Sequence, residues 1–405
     1  MKILQLLVII ILLSSCVAQN SDESLHKLAD KLAHDYIITD GHVDLPYRLR
    51  VQNFRLEKEY IGIPIETDKG DFDYVRAKKG GLDAPFMSIY IPARLQEEGG
   101  AKELADTLIT MVKDIAAAYP DKFGIAYTPE DVRNFFEKGI ISLPMGMENG
   151  APIGDDLANL TYFRKRGISY ITLTHSKDNQ ICDSSYDEKR TWKGLSPYGK
   201  KVVEEMNRVG IMVDISHVSD ETFYQVIELT KVPVIASHSS CRKYTPYFER
   251  NMDDDMIRKM KTNGGVIQIN FGSSFLDATI GEQNDALRNS LDSILTGKGL
   301  EHKDEAAKSI IEKFKKDNPK LFSDVEMVAN HIDHVVALAG IDHVGLGSDF
   351  DGVGDSLPTG LKDVSQYPNL IYVLLKRGYT KEDIEKICYK NVFRVWQTVL
   401  DYSEK

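Results

Sequence analysis

Histidine and carboxylate side chains recur at one place in the sequence pattern, the end of a short apolar run. Such side chains bind divalent ions through nitrogen or oxygen, or they move protons. When they are repeated at the carboxyl ends of strands, they predict a metal-dependent hydrolase. The residues in question are His42, Asp44, Glu148, His175, His217, His238 and Asp349.

His42 and Asp44 are the first candidate ligands along the chain. They are two positions apart on an extended segment, so both side chains leave the same face and can hold one ion. Glu148 lies between Gly146 and Gly150, and its two carboxylate oxygens can bridge a pair of ions. An isolated His-x-Asp pair or glutamate can equally serve structure alone. The metal prediction therefore depends on the whole set.

His217 and His238 end two consecutive apolar runs and would bind a second ion together with Glu148. A lone histidine at a strand end is often only a hydrogen-bonded structural residue. Imidazole and carboxylate ligands without thiolate favour two Zn²⁺ ions per chain, although Mn²⁺ or Co²⁺ could replace them. Two such ions lower the pKa of a bridging water, which then becomes the nucleophile.

Three further residues are candidates for contact with the substrate. Asp349 could bind substrate and pass a proton from the attacking water to the leaving nitrogen, or it belongs to an acidic turn before Gly352. Asp351 is the less favoured base, since it falls beyond the strand end. His175 could donate to the oxyanion or act as another ligand. Arg250 has the fork geometry to bind a carboxylate, or it is a solvated surface arginine.

The apolar runs that precede these residues have the composition of buried strands. Helical stretches with short connections separate them, as parallel βαβ units require. Together they predict an α/β fold, a (β/α)8 TIM-type barrel of the metal-dependent hydrolase kind. The strand-like runs cover residues 36–44, 140–148, 170–175, 211–217, 232–238, 266–271 and 343–349.

The rest of the pattern indicates helices and one insertion. Residues 76–81 are predicted to form a loop over one end of the barrel. Residues 277–318 change to long charged helical stretches, which we interpret as a helical insertion late in the chain, because no linker composition follows them. One domain over residues 29–405 is therefore expected. Helical spacing is found at residues 25–35, 102–119, 200–209, 220–230, 253–261, 325–339 and 381–400.

The first residues have the pattern of an export signal. Lys2 is followed by an apolar run, Ile3 to Leu13, that is too short to span a bilayer. The next residues, Leu-Ser-Ser-Cys, resemble the lipobox of bacterial lipoproteins. This predicts a signal peptide over residues 1–15, a lipid on Cys16 and a tether over 16–28; an ordinary cut after Ala18 is the alternative. Lipidation would hold the protein at the membrane of a bacterial cell envelope.

Charge and cysteine content exclude other classes of protein. The formal net charge of -11 argues against a nucleic-acid partner. With Cys16 lipidated, three cysteines remain, an odd number, so no disulfide framework is expected. The C-terminus has no apolar tail, so no C-terminal lipid anchor is expected either.

The ordered motifs resemble the membrane dipeptidase family, also called renal dipeptidase or peptidase family M19. The similarity runs from about residue 40 to residue 396. Residues 388–391 depart from it, since Cys-Tyr-Lys-Asn stands where the family often has Gly-Gly-Asn, and the stretch between His238 and Arg250 is slightly long. The resemblance rests on residues 40–44, 146–149, 173–175, 207–219, 237–240, 250–251, 263–265 and 342–352.

The resemblance implies a zinc-dependent barrel enzyme that cleaves dipeptides, often with a D-residue at the C-terminal position, and a possible homodimer. It implies that the first zinc is held by His42 and Asp44, the second by His217 and His238, with Glu148 between them. His175 and Arg250 would bind substrate and Asp349 would transfer the proton.

Two rival functions remain open at the level of the sequence. Another amidohydrolase-type barrel would act on a lactone, an acylated amino acid or a cyclic amide. A surface lipoprotein could bind peptides without cleaving them, although a pure binder needs no pair of ions that activates water.

Overall fold

The computed structural model describes residues 22–52 and 64–403. Eight parallel strands form one sheet in which neighbours follow chain order, and a parallel bridge between Val43 and Phe350 brings the last strand to the first. Helices follow the strands, so the fold is the predicted (β/α)8 TIM-type barrel. The barrel strands are β1 (Ile38–Val43), β2 (Leu82–Tyr90), β5 (Met145–Glu148), β6 (Ile168–Thr172), β7 (Met212–Asp214), β8 (Ile235–Ser239), β9 (Val266–Ile269) and β10 (Val344–Leu346).

Two short strands, β3 (Phe123–Gly124) and β4 (Ile141–Ser142), pair outside the barrel. The chain enters the barrel through a helix over residues 22–35, α1, and leaves it through α17 (Asn391–Ser403). The other α-helices are α2 (Leu45–Val51), α3 (Tyr74–Gly80), α4 (Leu95–Glu98), α5 (Ala101–Ala118), α6 (Pro129–Phe136), α7 (Ala158–Arg166), α8 (Pro197–Val209), α9 (Asp220–Leu229), α10 (Asp254–Asn263), α11 (Ser273–Leu276), α12 (Ala278–Thr296), α13 (Glu305–Asp317), α14 (Val325–Ala339), α15 (Tyr367–Lys376) and α16 (Lys381–Glu385).

The structure corrects the sequence-based assignment in three places. The loop expected over residues 76–81 is the helix α3, where the Asp73 side chain accepts from the Arg76 N–H at 2.8 Å. The continuous run over 140–148 is two strands, separated at Pro144, which has no N–H for a ladder. The strand β2 was not predicted, because Pro85 interrupts its apolar pattern and no candidate ligand ends it.

The end of the barrel opposite the metal-ligand candidates is closed by α17. Its Trp396 is fully buried, and the Trp396 ring lies 5.2 Å from that of Phe86 in β2. Phe86 in turn lies 5.5 Å from Tyr170 in β6. This aromatic column fills the barrel interior and ends directly beneath His42. Bulky packed side chains make the barrel a core rather than a pore.

The predicted helical insertion is present as the hairpin of α12 and α13. Its Leu291, Leu295 and Ala307 form a small apolar core that is separate from the barrel core. At the N-terminus, Cys16 and the predicted signal peptide lie outside the described residues, and α1 includes residues 22–28 of the expected tether. Within residues 22–52 and 64–403, no helix has the length and hydropathy needed to cross a bilayer.

Candidate metal centre

The five predicted metal ligands converge at the carboxyl end of the barrel, around Glu148. On one side, His42 Nε2 lies 3.4 Å from Glu148 Oε2 and 3.4 Å from Asp44 Oδ2. On the other side, His217 Nε2 and His238 Nε2 lie 3.0 and 3.4 Å from Glu148 Oε1. Each oxygen of one carboxylate therefore faces a different group of imidazoles, the arrangement that a bridging ligand needs.

Unpaired atoms at this point fit the binding of cations. His42 Nε2 and Asp44 Oδ1 are buried without a hydrogen-bond partner within the described part of the chain. His217 Nε2 and His238 Nε2 lie only 2.9 Å apart, so their ring nitrogens converge on one point. Buried polar atoms are almost always paired in proteins, and metal coordination would satisfy these. The donor set of nitrogen and carboxylate oxygen fits zinc.

Tyr170 sets the orientation of the His42 ring. The Tyr170 hydroxyl donates to Gly41 O at 2.9 Å, so it accepts from His42 Nδ1, also at 2.9 Å. This leaves His42 Nε2 as the free acceptor for an ion. Gly146 makes the contact possible, because a Cβ there would lie 1.9 Å from the Tyr170 ring. Tyr170 was not predicted as a site residue, since a tyrosine inside a strand gives no signal of its own.

Asp214 plays the corresponding part for His238. His238 Nδ1 donates to Ser237 Oγ at 2.8 Å, and the Ser237 hydroxyl donates to Asp214 Oδ2 at 2.6 Å. Asp40 ties β1 to the last strand, because it accepts from the His42 and Ser348 backbone N–H groups at 2.9 and 3.0 Å. Both aspartates could have been found from the sequence, because each is an acidic residue in an apolar run shortly before a histidine. Asp40 precedes His42 by two residues, and Asp214 precedes His217 by three.

Two of the site residues have backbone conformations that L-residues seldom adopt. His217 has φ +68° and Asp349 has φ +64°, both in the left-handed region. Hydrogen bonds hold the second of these turns, since the Asp349 N–H donates to His42 O at 3.1 Å. Gly352 completes it, because a Cβ there would lie 2.2 Å from carboxylate oxygens of both Asp349 and Asp44. Such strain is typical of functional sites.

The electrostatics of the site suit cation binding and proton transfer. Burial lowers the pKa values of His217 and His238 well below the usual range, helped by Arg250 at His217 and by His42 and Arg250 at His238, so both rings are neutral and suited to bind a cation. Burial opposes ionisation of Glu148, but His42 and His175 keep the Glu148 pKa well below its usual value. Burial raises the pKa of Asp349 to about 7, and the neighbouring carboxylates contribute.

The structure brings Asp349 to the site and ties Asp351 elsewhere. Asp349 Oδ2 accepts from Asn270 Nδ2 at 2.8 Å, and Asp349 lies close enough to His42 and Asp44 for all three to face one ion. Asp351 accepts from the Asp71 N–H at 2.6 Å and lies 3.0 Å from Arg48 Nε. Asp351 therefore holds the turn, while the Asp349 carboxylate faces His42 and Asp44.

His175 and Arg250 each contact one member of the histidine pair, His217 and His238 respectively. His175 Nε2 is 3.6 Å from Glu148 Oε1, and His175 Nδ1 is buried without a partner in the described regions. Arg250 is 3% exposed and donates to Ser239 Oγ and His238 O, each at 2.8 Å. The interpretation of Arg250 as a solvated surface residue is therefore wrong. Its contact with a substrate remains a prediction.

A cleft of about 780 Å³ gives access to this centre. Asp44, Glu148, His175, His217 and Asp349 all line it. Four aromatic residues add walls to the same cleft: Tyr47 in α2, Tyr90 at the end of β2, Tyr186, and Phe275 in α11. A volume of this size accepts a small ligand such as a peptide of two residues.

The Tyr170→Phe variant tests the role of the tyrosine in ordering the first ligand. Phenylalanine fills the same space but leaves His42 Nδ1 without its acceptor, so metal affinity should fall about 10- to 100-fold. Competition with a chromogenic chelator measures it. Tyr389→Phe is the control, because that hydroxyl bonds to Glu385 at 2.8 Å, away from the ligands. Equal metal affinity in Tyr170→Phe and the parent chain would refute this role.

Comparison with known proteins adds sequence relatives. The membrane dipeptidase family, peptidase family M19, matches residues 26–405. An uncharacterised dipeptidase from Schizosaccharomyces pombe is 32% identical over 376 residues, covering 90% of this chain and 81% of the relative. A dipeptidase from Claviceps purpurea is 32% identical over 392 residues, covering 95% of this chain and 82% of the relative.

Solved structures agree with the sequence relatives. A probable dipeptidase from Pseudomonas aeruginosa superposes with a TM-score of 0.77 at 28% identity, covering 94% of this chain and 99% of the other. A metallo peptidase from Rhodobacter sphaeroides, solved with a phosphinate mimic of the dipeptide L-Ala-D-Ala, gives 0.72 at 25% identity, covering 90% and 99%. With its ligand residues converged and the family match spanning residues 26–405, the chain belongs to the membrane dipeptidase family.

Proposed function

We propose that this chain is a dinuclear zinc dipeptidase that hydrolyses the peptide bond of free dipeptides, including those with a C-terminal D-residue. One observation carries the proposal: the two oxygens of Glu148 face separate imidazole groups, His42 on one side and the pair of His217 and His238 on the other. Hydrolysis by two ions about 3.5–4 Å apart needs such a shared carboxylate. Membership of a dipeptidase family supports the substrate class.

Two zinc ions held by these residues would supply a water ionised near neutral pH and would polarise the scissile carbonyl. Asp349 then handles the proton: its raised pKa of about 7 lets the carboxyl hold a proton and release it to the departing amine. Asn270 fixes the orientation of that carboxyl through a 2.8 Å hydrogen bond. His175, whose lowered pKa keeps the ring neutral, donates from one nitrogen to the oxyanion.

The substrate is bound through its charged ends, and this selects for peptides of two residues. Arg250 retains a buried Nε–H without a partner in the described regions, a donor for the C-terminal carboxylate. A site that must satisfy both charged termini of a dipeptide leaves those groups unpaired with a longer peptide. The dipeptide mimic in the Rhodobacter sphaeroides structure, which ends in D-Ala, supports tolerance of a D-residue.

Hydrolysis of L-Ala-L-Ala and L-Ala-D-Ala by the metal-loaded and the chelator-stripped protein tests this function. We expect cleavage of both dipeptides only in the loaded protein, with close to two zinc ions per chain by elemental analysis. Ala-Ala-Ala is the control for length and should react poorly. If the chain binds two ions but cleaves no dipeptide, its substrate is another amide or an ester. If the chain binds no metal, the ligand assignment is refuted.

We also propose that a lipid on Cys16 holds the enzyme on a bacterial cell envelope. The lipobox-like sequence that ends at Cys16 supports this anchor. The intact mass of the exported protein decides between diacylglycerol on Cys16 and a plain cut after Ala18. Homodimerisation, which the family resemblance implies, remains a prediction for sedimentation measurements.

A further inference from the structure

A second cavity, of about 830 Å³, lies under the hairpin of α12 and α13. The small core of the hairpin forms part of the cavity wall, since Leu291, Ile311 and Phe314 line the cavity. Its walls include charged residues at the surface, but its interior is largely apolar. The apolar part is formed by Leu287, Leu291, Ile311, Phe314 and Phe322.

This cavity adjoins the catalytic cleft. The two spaces meet at Ser274 and Ser356, which line both of them. Beside this junction the Ser273 N–H donates to Ser356 O at 2.8 Å. Gly281 lies on the cavity side of this junction. A Cβ added at Gly281 would lie 3.7 Å from Ser274 Cβ, an ordinary contact distance, so the position can carry a side chain.

The position of Arg250 indicates which end of a substrate reaches the junction. Arg250 Cζ lies 5.5 Å from the ring centroid of Phe275, and Phe275 follows Ser274 in the wall of the cleft. A carboxylate bound at Arg250 would lie near Phe275, and the C-terminal residue of a dipeptide would then lie near Ser274, the preceding residue of the chain. Ser274 also lines the apolar cavity, so the side chain of that residue would be next to it.

We propose that the cavity under the α12–α13 hairpin receives the C-terminal side chain, so that the enzyme favours dipeptides ending in a large apolar residue. The inference rests on the proposed dipeptidase function and adds the substrate class. Each methylene buried in an apolar pocket contributes about fourfold in affinity. A leucine or phenylalanine side chain should therefore raise kcat/KM by about tenfold or more over alanine.

The test compares Ala-Ala, Ala-Leu and Ala-Phe with the reversed dipeptides Leu-Ala and Phe-Ala. The parent chain should cleave Ala-Phe with a kcat/KM about tenfold above that for Ala-Ala. Gly281→Leu fills the junction and should reduce this ratio about tenfold, while the ratio of Phe-Ala to Ala-Ala changes much less. Gly281→Ala is the matched control and should keep the Ala-Phe ratio within about twofold.

Gly281 is in the interior of α12, where alanine or leucine has the higher helix propensity, so both variants should fold. Thermal unfolding verifies this, and Leu287→Trp fills the same cavity if Gly281→Leu fails to fold. An unchanged Ala-Phe ratio in the filled variants, or a loss confined to Phe-Ala, would overturn the assignment. Cleavage of Ala-Ala without any size preference overturns this inference alone. Absence of all dipeptide cleavage overturns the proposed function and this inference with it.

Discussion

The Asp349→Asn variant should retain both metal ions while kcat falls by about 10²- to 10⁴-fold, the usual contribution of a general acid–base residue. An amide has the size of the carboxyl and can still accept from Asn270, so the turn should persist. Asparagine also tolerates the left-handed backbone at φ +64°, which alanine does not. The loss would then come from proton transfer, since no group replaces the carboxyl.

Asp351→Asn is the matched control for this variant. Asp351 has nearly the same backbone conformation, φ +66°, and burial raises its pKa to about 7 as well. Its carboxylate, however, bonds to Asp71 and faces Arg48, so its activity should stay within about tenfold of the parent. Steady-state kinetics and elemental analysis are measured on both. Loss of zinc from Asp349→Asn would identify Asp349 as a ligand, and unchanged kcat would remove it from the reaction.

Glu148→Gln should abolish activity by removing both ions. A neutral amide cannot compensate two divalent charges, so the affinity for zinc should fall about a hundredfold or more and hydrolysis should drop to background. Thermal unfolding provides a second readout. Bound zinc stabilises the folded state by about 4 kcal/mol at a thousand times its Kd. A chelator should therefore lower the Tm of the parent chain and leave that of Glu148→Gln unchanged.

Asp83→Asn is the control for the same chemical change at a buried acid. Asp83 lies at the start of β2 and accepts from the Ile38 N–H at 3.3 Å, and burial raises its pKa to about 7. Its protonated form resembles an amide, so zinc content and activity should match the parent. A Glu148→Gln protein that holds two zinc ions and cleaves dipeptides would refute the bridging assignment.

The convergence of the candidate ligands was predictable because each of them ends a strand-like run. The carboxyl ends of all strands in a parallel barrel lie on one face, where the active site is found. The ends of β1, β5 and β8 could therefore be assigned to one centre from the sequence alone. The backbone also left a trace, since Gly146 in the Glu148 motif is needed to admit the Tyr170 ring. The local sequence therefore identifies the candidate ligands and the glycine that lies next to one of them.

Other features depend on contacts between residues far apart in the chain. Tyr170 was missed because only the fold brings its hydroxyl to His42. The burial of Arg250 follows from its contacts with Ser239 and the His238 carbonyl, which no local pattern encodes. The strand β2 was missed because Pro85 weakens its pattern. Pro85 pairs with Asp40 next to a shift in the β1–β2 register, an irregularity that can accommodate proline and that sequence alone does not reveal.

The aromatic column under the candidate metal centre makes the orientation of His42 depend on the docking of α17. Trp396, near the end of the chain, contacts Phe86, which contacts Tyr170, which orients His42. Synthesis produces His42 long before Trp396. The first ligand is thus not held in its final orientation until the C-terminal helix has docked. Metal binding at His42 should therefore follow the docking of α17, and a polypeptide without α17 should hold His42 less firmly.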